Sequence, residues 1–585
     1  MVPNPSSRDA QLAADLKKEV LSAMNADSSL TPQAAMIKIT KEMLTNNPFV
    51  TPAGCPVNAL PPELLAHIFV VGTEMEAEAM DVDGDDDSSD EEEEDEEMSL
   101  PFQVLVSHVC RHWRHVAIET PELWTTIDFE EGAPFEKSKV WIERGKGRPL
   151  DIKIDCSIPP VDQDPDDDAD ATSDSDLDSD SDESNSIESI TSASHGHQYV
   201  TEHGDCIHEP PPISLVDLKQ ILDIIVPLVA QWRSLEITTS VWEYMHALLS
   251  RLSECPSAPL LETLEFYHYD DVEDNETFSP AELKEPFLIF NGNAPKLRNI
   301  ALWGVHLDWD RSLTLLSDLH DLEMVYHTED VRPSYATFTQ MIASSPNLHN
   351  LGLCLSGPKQ HDPEDNDWGT DIIEIPSLKE LVFCYHKPPY AIALLKKLSV
   401  PNVHSLTLDF DEEDYTEFVK QLTLPMPKTN KSILAGLEEM KISGLPCNKA
   451  SMESMLGQLT GLKSINIKCL NEHDQEIYSQ LFPTTVTEDG STSQKQKIYC
   501  PNLHTITSTG IPGYDLRLLV EARKAAGVPI RRVMMSDEDD IGEEEIKWFR
   551  ENVEELDFFE ASDEEFDALD TWPAPLWGPQ TLVDM

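Results

Sequence analysis

Basic residues are scarce in this chain of 585 residues, which has 42 lysines and arginines against 109 aspartates and glutamates and a net charge of -67. Binding to phosphate backbones depends on clustered Lys and Arg, and none cluster here, so the sequence predicts no nucleic-acid partner. The tracts 72–99 and 161–190 contain no basic residue at all. Blocks of like charge repel each other and bury little apolar surface. We therefore predict disordered acidic insertions at 72–99 and 158–212 and an acidic tail at 536–585.

The chain also lacks C-x-x-C pairs and long apolar runs. Its 10 cysteines are widely spaced, which is typical of proteins in a reducing compartment. The longest apolar run, 221–232, is interrupted by Asp223 and Pro227 and is too short to cross a bilayer. We expect no disulfide framework, no membrane partner and a cytoplasmic and/or nuclear location.

Common catalytic signatures are missing as well. The sequence contains no G-x-S-x-G, no G-x-x-x-x-G-K-[ST] and no G-x-G-x-x-G. His108, His112 and His115 have i, i+4, i+7 spacing and would line one face of a single helix, but no carboxylate accompanies them there, and a closed zinc site needs four ligands. A second histidine group at 195–208 has no apolar shell around it. We predict polar histidine faces, no metal, no cofactor and no enzymatic activity of the chain itself.

What the sequence does contain is a repeated six-residue frame, L-x-x-L-x-L. It occurs at 232–237, 261–266, 297–302, 348–353, 378–383, 403–408, 437–442, 462–467 and, more weakly, 503–508, and a member near 319–324 has an uncertain register. Helical patterns alternate with these frames, at 240–252, 335–345, 390–398, 452–459 and 476–482.

One such unit alone cannot bury its apolar strand face, but stacked units share a continuous core. The pattern predicts an α/β fold, an irregular leucine-rich-repeat-like solenoid with a curved parallel sheet. An ordinary layered α/β domain is the alternative.

Two further helical stretches precede the repeats. In 58–72, Leu64, Leu65, Ile68 and Phe69 recur at helical spacing, which predicts a short amphipathic helix. A second helical stretch begins near 101 and ends near Thr120.

These stretches carry a resemblance. Leu60-Pro61-Pro62-Glu63-Leu64-Leu65, then 109–114 (VCRHWR), then 121–124 (PELW), are similar in type and order to the successive signatures of the F-box family. The segments 140–154 and 521–535 resemble parts of the F-box and leucine-rich-repeat-like proteins abundant in basidiomycete fungi. The resemblance covers roughly 58–535.

The resemblance implies a non-catalytic, substrate-recognition subunit of a Skp-cullin-F-box ubiquitin ligase. The F-box would dock on the Skp-family adaptor and through it on a cullin, and the repeats would bind a protein target for ubiquitination. Carried over by position, the adaptor-binding residues are Leu60, Pro61, Leu64, Ile68, Phe69, Val109, Cys110, Trp113, Leu123 and Trp124. One departure from the family is the acidic insertion between the two halves, which F-boxes usually join by a short loop. An alternative is an acidic scaffold or chaperone for basic proteins, with a vestigial F-box.

Target-binding residues follow from strand geometry. In each frame the leucines face the core, so the residues between and just after them project from the opposite, concave surface. A solenoid commonly binds its partner on this surface. The rule exposes Tyr267, Asn299, Trp303, Cys354, Cys384, Asp409, Lys441 and Lys468. For Trp303 the alternative is packing against a neighbouring loop.

The domain organisation predicted from these features has six parts. They are a mobile arm (1–56), an F-box with its insertion (57–128), a linker and first strand (129–157), a disordered insertion (158–212), the solenoid (213–535) and the acidic tail (536–585).

Overall fold

The structure is a computed structural model that describes residues 57, 60–80, 100–157, 199–200, 206–207, 213–268, 277–360, 368–410, 413–469, 474–487 and 494–559. By its contacts the chain divides into two compact units. The first combines Met1–Met75 with Glu96–Thr120, and the second combines Glu76–Asp95 with Pro121–Met585.

The first unit is helical and contains α1 (Pro62–Met80) as far as Met75, α2 (Phe102–Val109) and α3 (Arg111–Glu119). Proline fits the first turn of α1 because the amide it lacks has no partner in a helix there. Gly72 permits close helix packing, since a Cβ at this position would overlap the ring of Phe102. Leu65 and Phe69 are fully buried in this small core.

The prediction of one continuous second helix is wrong. Cys110 has extended backbone angles (φ -158°, ψ 170°) and separates α2 from α3, and its Sγ accepts a hydrogen bond from the Trp113 amide at 3.4 Å as an N-cap. His108 consequently lies on α2 whereas His112 and His115 lie on α3, so the three do not share a helix face. All three side chains are exposed.

The predicted disorder of 72–99 is wrong for its first part, because α1 continues to Met80. The segment 73–80 consists largely of glutamate, alanine and methionine, which are strong helix formers, and its charge density is lower than in the residues that follow. The remainder of the tract, 81–99, lies outside the described residues.

The second unit is mixed α/β with a large parallel sheet. Its described strands are β1 (Thr126–Asp128), β2 (Leu150–Cys156), β3 (Tyr199–Val200), β4 (Cys206–Ile207), β5 (Trp232–Thr239), β6 (Thr263–His268), β7 (Asn299–Trp303), β8 (Asp321–Val325), β9 (Asn350–Cys354), β10 (Ile373–Glu374), β11 (Glu380–Cys384), β12 (Leu398–Ser399), β13 (Ser405–Asp409), β14 (Glu439–Ser443), β15 (Ser464–Lys468), β16 (Thr484–Thr487), β17 (Gln494–Lys497), β18 (Thr505–Thr509), β19 (Arg532–Ser536) and β20 (Glu555–Phe559).

Helices connect many of these strands. They are α4 (Glu136–Arg144), α5 (Leu215–Ile225), α6 (Trp242–Ser253), α7 (Tyr335–Ala343), α8 (Pro388–Leu395), α9 (Thr416–Leu422), α10 (Lys449–Gln458), α11 (Asp474–Gln480), α12 (Gly513–Ala525) and α13 (Glu543–Asn552). The helices predicted at the five repeat connections are confirmed.

Within the described residues the main sheet has 14 strands, all parallel and in chain order, and it is not closed. Each repeat frame forms a strand, and the uncertain one near 319–324 becomes β8. The central apolar residue of each frame falls in register with the next, as Leu264 pairs with Ile300 and Ile300 with Leu322. Crossovers of one handedness between strands in chain order place the connections on one face of the sheet. The other side is called the open face below.

The sheet is longer than predicted at both ends. It begins with β1, inside the expected F-box segment 57–128, followed by β2 in the expected linker and first strand, and it ends with β20, inside the expected acidic tail. Charge counting missed this end because Phe549 of α13 is fully buried and supports the last strand. The expected insertion 158–212 contains a short antiparallel pair, β3 with β4. The predicted arm, 1–56, and the part of the predicted tail beyond 559 lie outside the described residues.

The strand ends carry a repeated backbone feature. Gly304, Tyr326, Leu355 and Tyr385 each follow the last residue of a strand and have positive φ, between 45° and 65°. Their amides donate to the last carbonyl of the next strand, as from Tyr326 to Cys354 at 3.0 Å. A left-handed conformation is unfavourable for tyrosine, and such residues are held in place only where the surroundings enforce it.

Among the described residues, no helix has the length and apolar character needed to cross a membrane.

Candidate functional site

Helix α1 exposes an apolar stripe. Leu64, Ile68, Val71 and Met75 are spaced i, i+4, i+7 and i+11, so they lie along one side of the helix. Their exposed fractions are 52%, 49%, 37% and 63%. The same helix buries Phe69 completely. The stripe is therefore surplus to the core of the helical unit.

Helix α2 adds two exposed apolar residues one turn apart, Leu105 and Val109. The half-buried Trp113 of α3 packs on Phe69 with ring centroids 5.1 Å apart. Arg114 ties α3 to α2, because its Nε donates to the Ser107 carbonyl at 2.9 Å. The name apolar stripe is used below for all six exposed apolar residues of α1 and α2. They are Leu64, Ile68, Val71, Met75, Leu105 and Val109.

The structure divides the ten adaptor-binding residues predicted from the family resemblance into three groups. Pro61, Leu64, Ile68 and Val109 are exposed, Leu60, Cys110 and Trp113 are half-buried, and Phe69, Leu123 and Trp124 are buried. Only the first two groups present side-chain surface to a partner.

Leu123 and Trp124 belong to the second unit. The Trp124 ring is fully buried, edge-on to Trp141 at 5.6 Å and beneath the Arg144 guanidinium at 4.4 Å. These contacts give Trp124 a packing function.

The open face of the sheet carries a row of aromatic rings. Tyr267 contacts Trp303 at 5.0 Å between centroids, Trp303 contacts Tyr326 at 6.5 Å, and Tyr326 stacks on Tyr385 at 6.5 Å. Three of the four tyrosine and tryptophan rings are half-buried, and Trp303 is 7% exposed. The three tyrosines pack against a second apolar cluster, formed by Ala301, Trp303, Val325, Cys354, Val382 and Cys384.

This second cluster corrects the exposure rule used for the target-binding residues. Cys354 and Cys384 are fully buried, and Trp303 packs between two tyrosines, so none of the three offers a free surface. Parallel strands bring equivalent positions within about 5 Å of each other, and large side chains on neighbouring strands then cover the smaller ones. The rule assigned the correct face of the sheet but takes no account of packing between side chains on neighbouring strands.

The other predicted target-binding residues lie on the same face, with different surroundings. Asp409 is buried, burial raises its pKa to about 6, and the Tyr385 hydroxyl donates to it at 3.4 Å. Asn299 lies 3.2 Å from the Thr263 hydroxyl. Lys441 and Lys468 are half-buried on β14 and β15.

Sequence reasoning missed a short carboxylate row on this face. Glu236, Glu265, Ala301 and Glu323 are successive register partners on β5 to β8, and Gly352 follows on β9. The signal was available, because Glu265 stands between two apolar frame residues and the alternation rule places it opposite the core.

Burial changes the chemistry of these carboxyls. It is the main cause that raises the pKa of Glu265 from 4.5 to about 8, with repulsion from Glu236 and Glu323 adding to it. Burial also raises the pKa of Glu323 to about 7, and the hydrogen bond that Trp303 Nε1 donates at 3.3 Å opposes the rise. Burial therefore favours the protonated, uncharged form of both carboxyls at pH values below their raised pKa values.

No family model and no curated protein matches this chain. The site therefore has to be interpreted from its own geometry. Within the part of the chain that the structure describes, no three His, Cys, Asp or Glu side chains gather as metal ligands. The two surfaces with unusual composition are the apolar stripe on the helical unit and the aromatic and acidic open face at β6 to β11.

Proposed function

We propose that this protein is the substrate-recognition subunit of a Skp-cullin-F-box ubiquitin ligase. In this proposal the helical unit is an F-box that docks on a Skp-family adaptor, and through it on a cullin. The α/β unit is a leucine-rich-repeat-like solenoid that binds a protein target. In this proposal the chain itself does not catalyse the transfer of ubiquitin.

The observation that carries the proposal is the apolar stripe. Exposed apolar surface of this extent and order is unfavourable in water unless a partner covers it. Its residues Leu64, Ile68 and Val109 are among those that the F-box resemblance assigns to adaptor binding. The buried side of the same helix provides the core. Docking on the adaptor and folding of the helical unit therefore depend on different side chains of α1.

The division of labour on α1 gives a direct test. Leu64→Ala with Ile68→Ala removes the exposed side chains, and we expect adaptor affinity to fall by about 2 to 4 kcal/mol, as for central interface anchors. The matched control is Glu63→Ala with His67→Ala, two exposed residues of the same helix with the same spacing. The measurement is calorimetric titration of a purified Skp-family adaptor into each full-length variant.

Folding is monitored separately. Exposed-site substitutions change stability by no more than about 0.5 kcal/mol, whereas Phe69→Ala in the core costs about 3 to 5 kcal/mol. Circular dichroism should therefore be unchanged for Leu64→Ala with Ile68→Ala. Adaptor binding that survives this double substitution, or that is absent from the folded wild-type chain, would contradict the proposal.

The net charge of -67 favours a second candidate, an acidic scaffold for basic proteins with a vestigial F-box. The two are separated by deleting 81–99 and 161–190, tracts that lie outside the described residues. The deletion starts at 81 so that α1 is kept whole. The scaffold function is supported if the deletion abolishes histone binding and if neither the wild type nor the deletion variant binds the adaptor.

A further inference from the structure

The last strand of the main sheet has an apolar face that the described residues leave partly uncovered. Val553, Leu556 and Phe558 repeat the L-x-x-L-x-L frame in and just before β20. In the preceding frame, 530–535, the three apolar side chains are 2% exposed or less. Val553 and Leu556 are half-buried, however, and Phe558 is 38% exposed. The sheet therefore ends on an apolar surface that no further repeat covers among the described residues.

This surface faces the side of the sheet on which the helices pack. Leu556 and Phe558 are parallel register partners of buried residues in β19, so their side chains point to the same side as those residues. Helix α13 contacts β20 and buries Phe549 completely. The uncovered part lies beside α13, where the connection that follows the strand would pack.

The chain that follows β20 has the sequence of such a connection. The segment 560–585 lies outside the described residues, and its sequence begins with a helix start signal. Ser562 is followed three residues later by Glu565, and two more acidic residues stand between them. Phe566, Leu569 and Trp572 then recur at i, i+3 and i+6, which places them within about 120° of one another around a helix. These features predict an amphipathic helix at 563–572.

The spacing also matches a repeat. Three residues, 560–562, separate β20 from this segment, and three residues, 510–512, separate β18 from α12. Pro573 and Pro575 come directly afterwards, and proline cannot donate to a strand ladder, so the pattern has a helical half without a following strand. Terminal units of repeat proteins need a polar outer face, and five of the ten residues at 563–572 are acidic.

We propose that residues 563–572 dock as a helix on the exposed apolar face of β20, beside α13, and close this end of the sheet. A three-residue link gives the segment an effective concentration in roughly the millimolar range, which favours it over a second copy of the chain. Glu555 and Asp557 alternate with the apolar residues of β20 and project from the open face, so they do not line the docking surface. The assignment does not depend on the proposed ligase function.

The test is hydrogen exchange of the full-length protein, followed by mass spectrometry of peptides that cover 553–559. Phe566→Ser with Leu569→Ser removes the apolar side chains of the segment. We expect the β20 amides to exchange at least about tenfold faster, because an uncovered edge strand opens locally more often. The matched control is Trp577→Ser with Leu582→Ser, an aromatic residue and a leucine of the same tail that lie beyond Pro573. This control should exchange like the wild type.

A conservative variant and an internal reference complete the experiment. Phe566→Leu with Leu569→Met keeps apolar side chains at both positions and should retain the slow exchange of the wild type. Peptides from β9, in the middle of the sheet, should exchange equally in all variants, since none of the substitutions reaches them.

Equal exchange at β20 in the Phe566→Ser, Leu569→Ser variant and in the wild type would overturn the proposal. So would exchange that becomes slower at higher protein concentration whatever residues stand at 566 and 569, because a second copy would then cover the strand. Adaptor binding is measured independently of these substitutions. Its absence rejects the ligase proposal and leaves the docking of 563–572 unaffected.

Discussion

Replacing Glu265 by glutamine should stabilise the protein at high pH. The folded-state pKa of Glu265 is about 8, above the 4.5 of the unfolded chain. A raised pKa means that the native state binds the proton more tightly, so its stabilising effect is complete below pH 4.5 and is lost as pH rises through 8. Above pH 8 the ionised carboxyl opposes folding, and Glu265→Gln removes that charge.

The size of the effect follows from the same pKa. The rise from 4.5 to about 8 corresponds to at most about 5 kcal/mol, at roughly 1.4 kcal/mol for each pH unit. Glu265 is half-buried, so water screens part of its charge, and the substituted amide costs about 1 kcal/mol as a poorly paired polar group. We expect a net gain of about 1 to 3 kcal/mol at pH 9 and little gain at pH 4.5.

Differential scanning calorimetry measures the outcome, with an expected rise in Tm of about 1 to 4 °C at pH 9. The control is Glu438→Gln. The pKa of Glu438 is lowered by its ion pair with Lys463 at 2.7 Å, so this variant should show no gain in stability above pH 4.5. A Tm gain for Glu265→Gln that is the same at pH 4.5 and pH 9, or a loss at pH 9, would refute the reasoning.

Two further outcomes test the fold. Gly444 has a φ of 52°, and a Cβ at this position would overlap the Phe410 carbonyl oxygen. Gly444→Ala should therefore lower the free energy of unfolding by about 2 kcal/mol or more. The control is Gly132→Ala, where a Cβ would have no atom within 4 Å, and it should leave thermal unfolding unchanged. Burial lowers the pKa of His386 to about 3, so its stabilising effect is complete above pH 6.5 and lost as pH falls towards 3. The His386 Nε2 lies 3.0 Å from the Leu353 carbonyl, and glutamine keeps a donor for that carbonyl. His386→Gln should therefore make the fall in Tm between pH 6.5 and 4 less steep. An unchanged slope would count against a buried neutral imidazole.

Local pattern was a good guide to the strands and helices of the α/β unit. A frame such as 261–266 repeats apolar residues at strand spacing, and its neighbours obey the same rule, so register and face follow from the frame alone. The break at Cys110 was not predictable in this way. The helical spacing runs through it without interruption, and the break depends on a thiol that caps the Trp113 amide.

Charge counting was a weaker guide. It predicted disorder from 72 onwards and a tail from 536 onwards, yet α1 runs to Met80 and the last strand of the main sheet, Glu555–Phe559, lies within that tail. A few buried side chains such as Phe549 outweigh many exposed charges, because solvated charges cost little. Only the arrangement of apolar residues within an acidic segment distinguishes the two outcomes.

The sequence by itself determined the alternation of strand and helix, the parallel order of the frames and the apolar spacing of α1, because each depends on residues close together in the chain. Which of those apolar residues remain in water was decided by tertiary structure. Leu64 and Phe69 have the same helical pattern, and packing against Trp113 buries one and leaves the other exposed. Glu265 and Glu323, 58 residues apart in the chain, likewise flank Ala301 only because of the register of β6 to β8, which no local pattern contains.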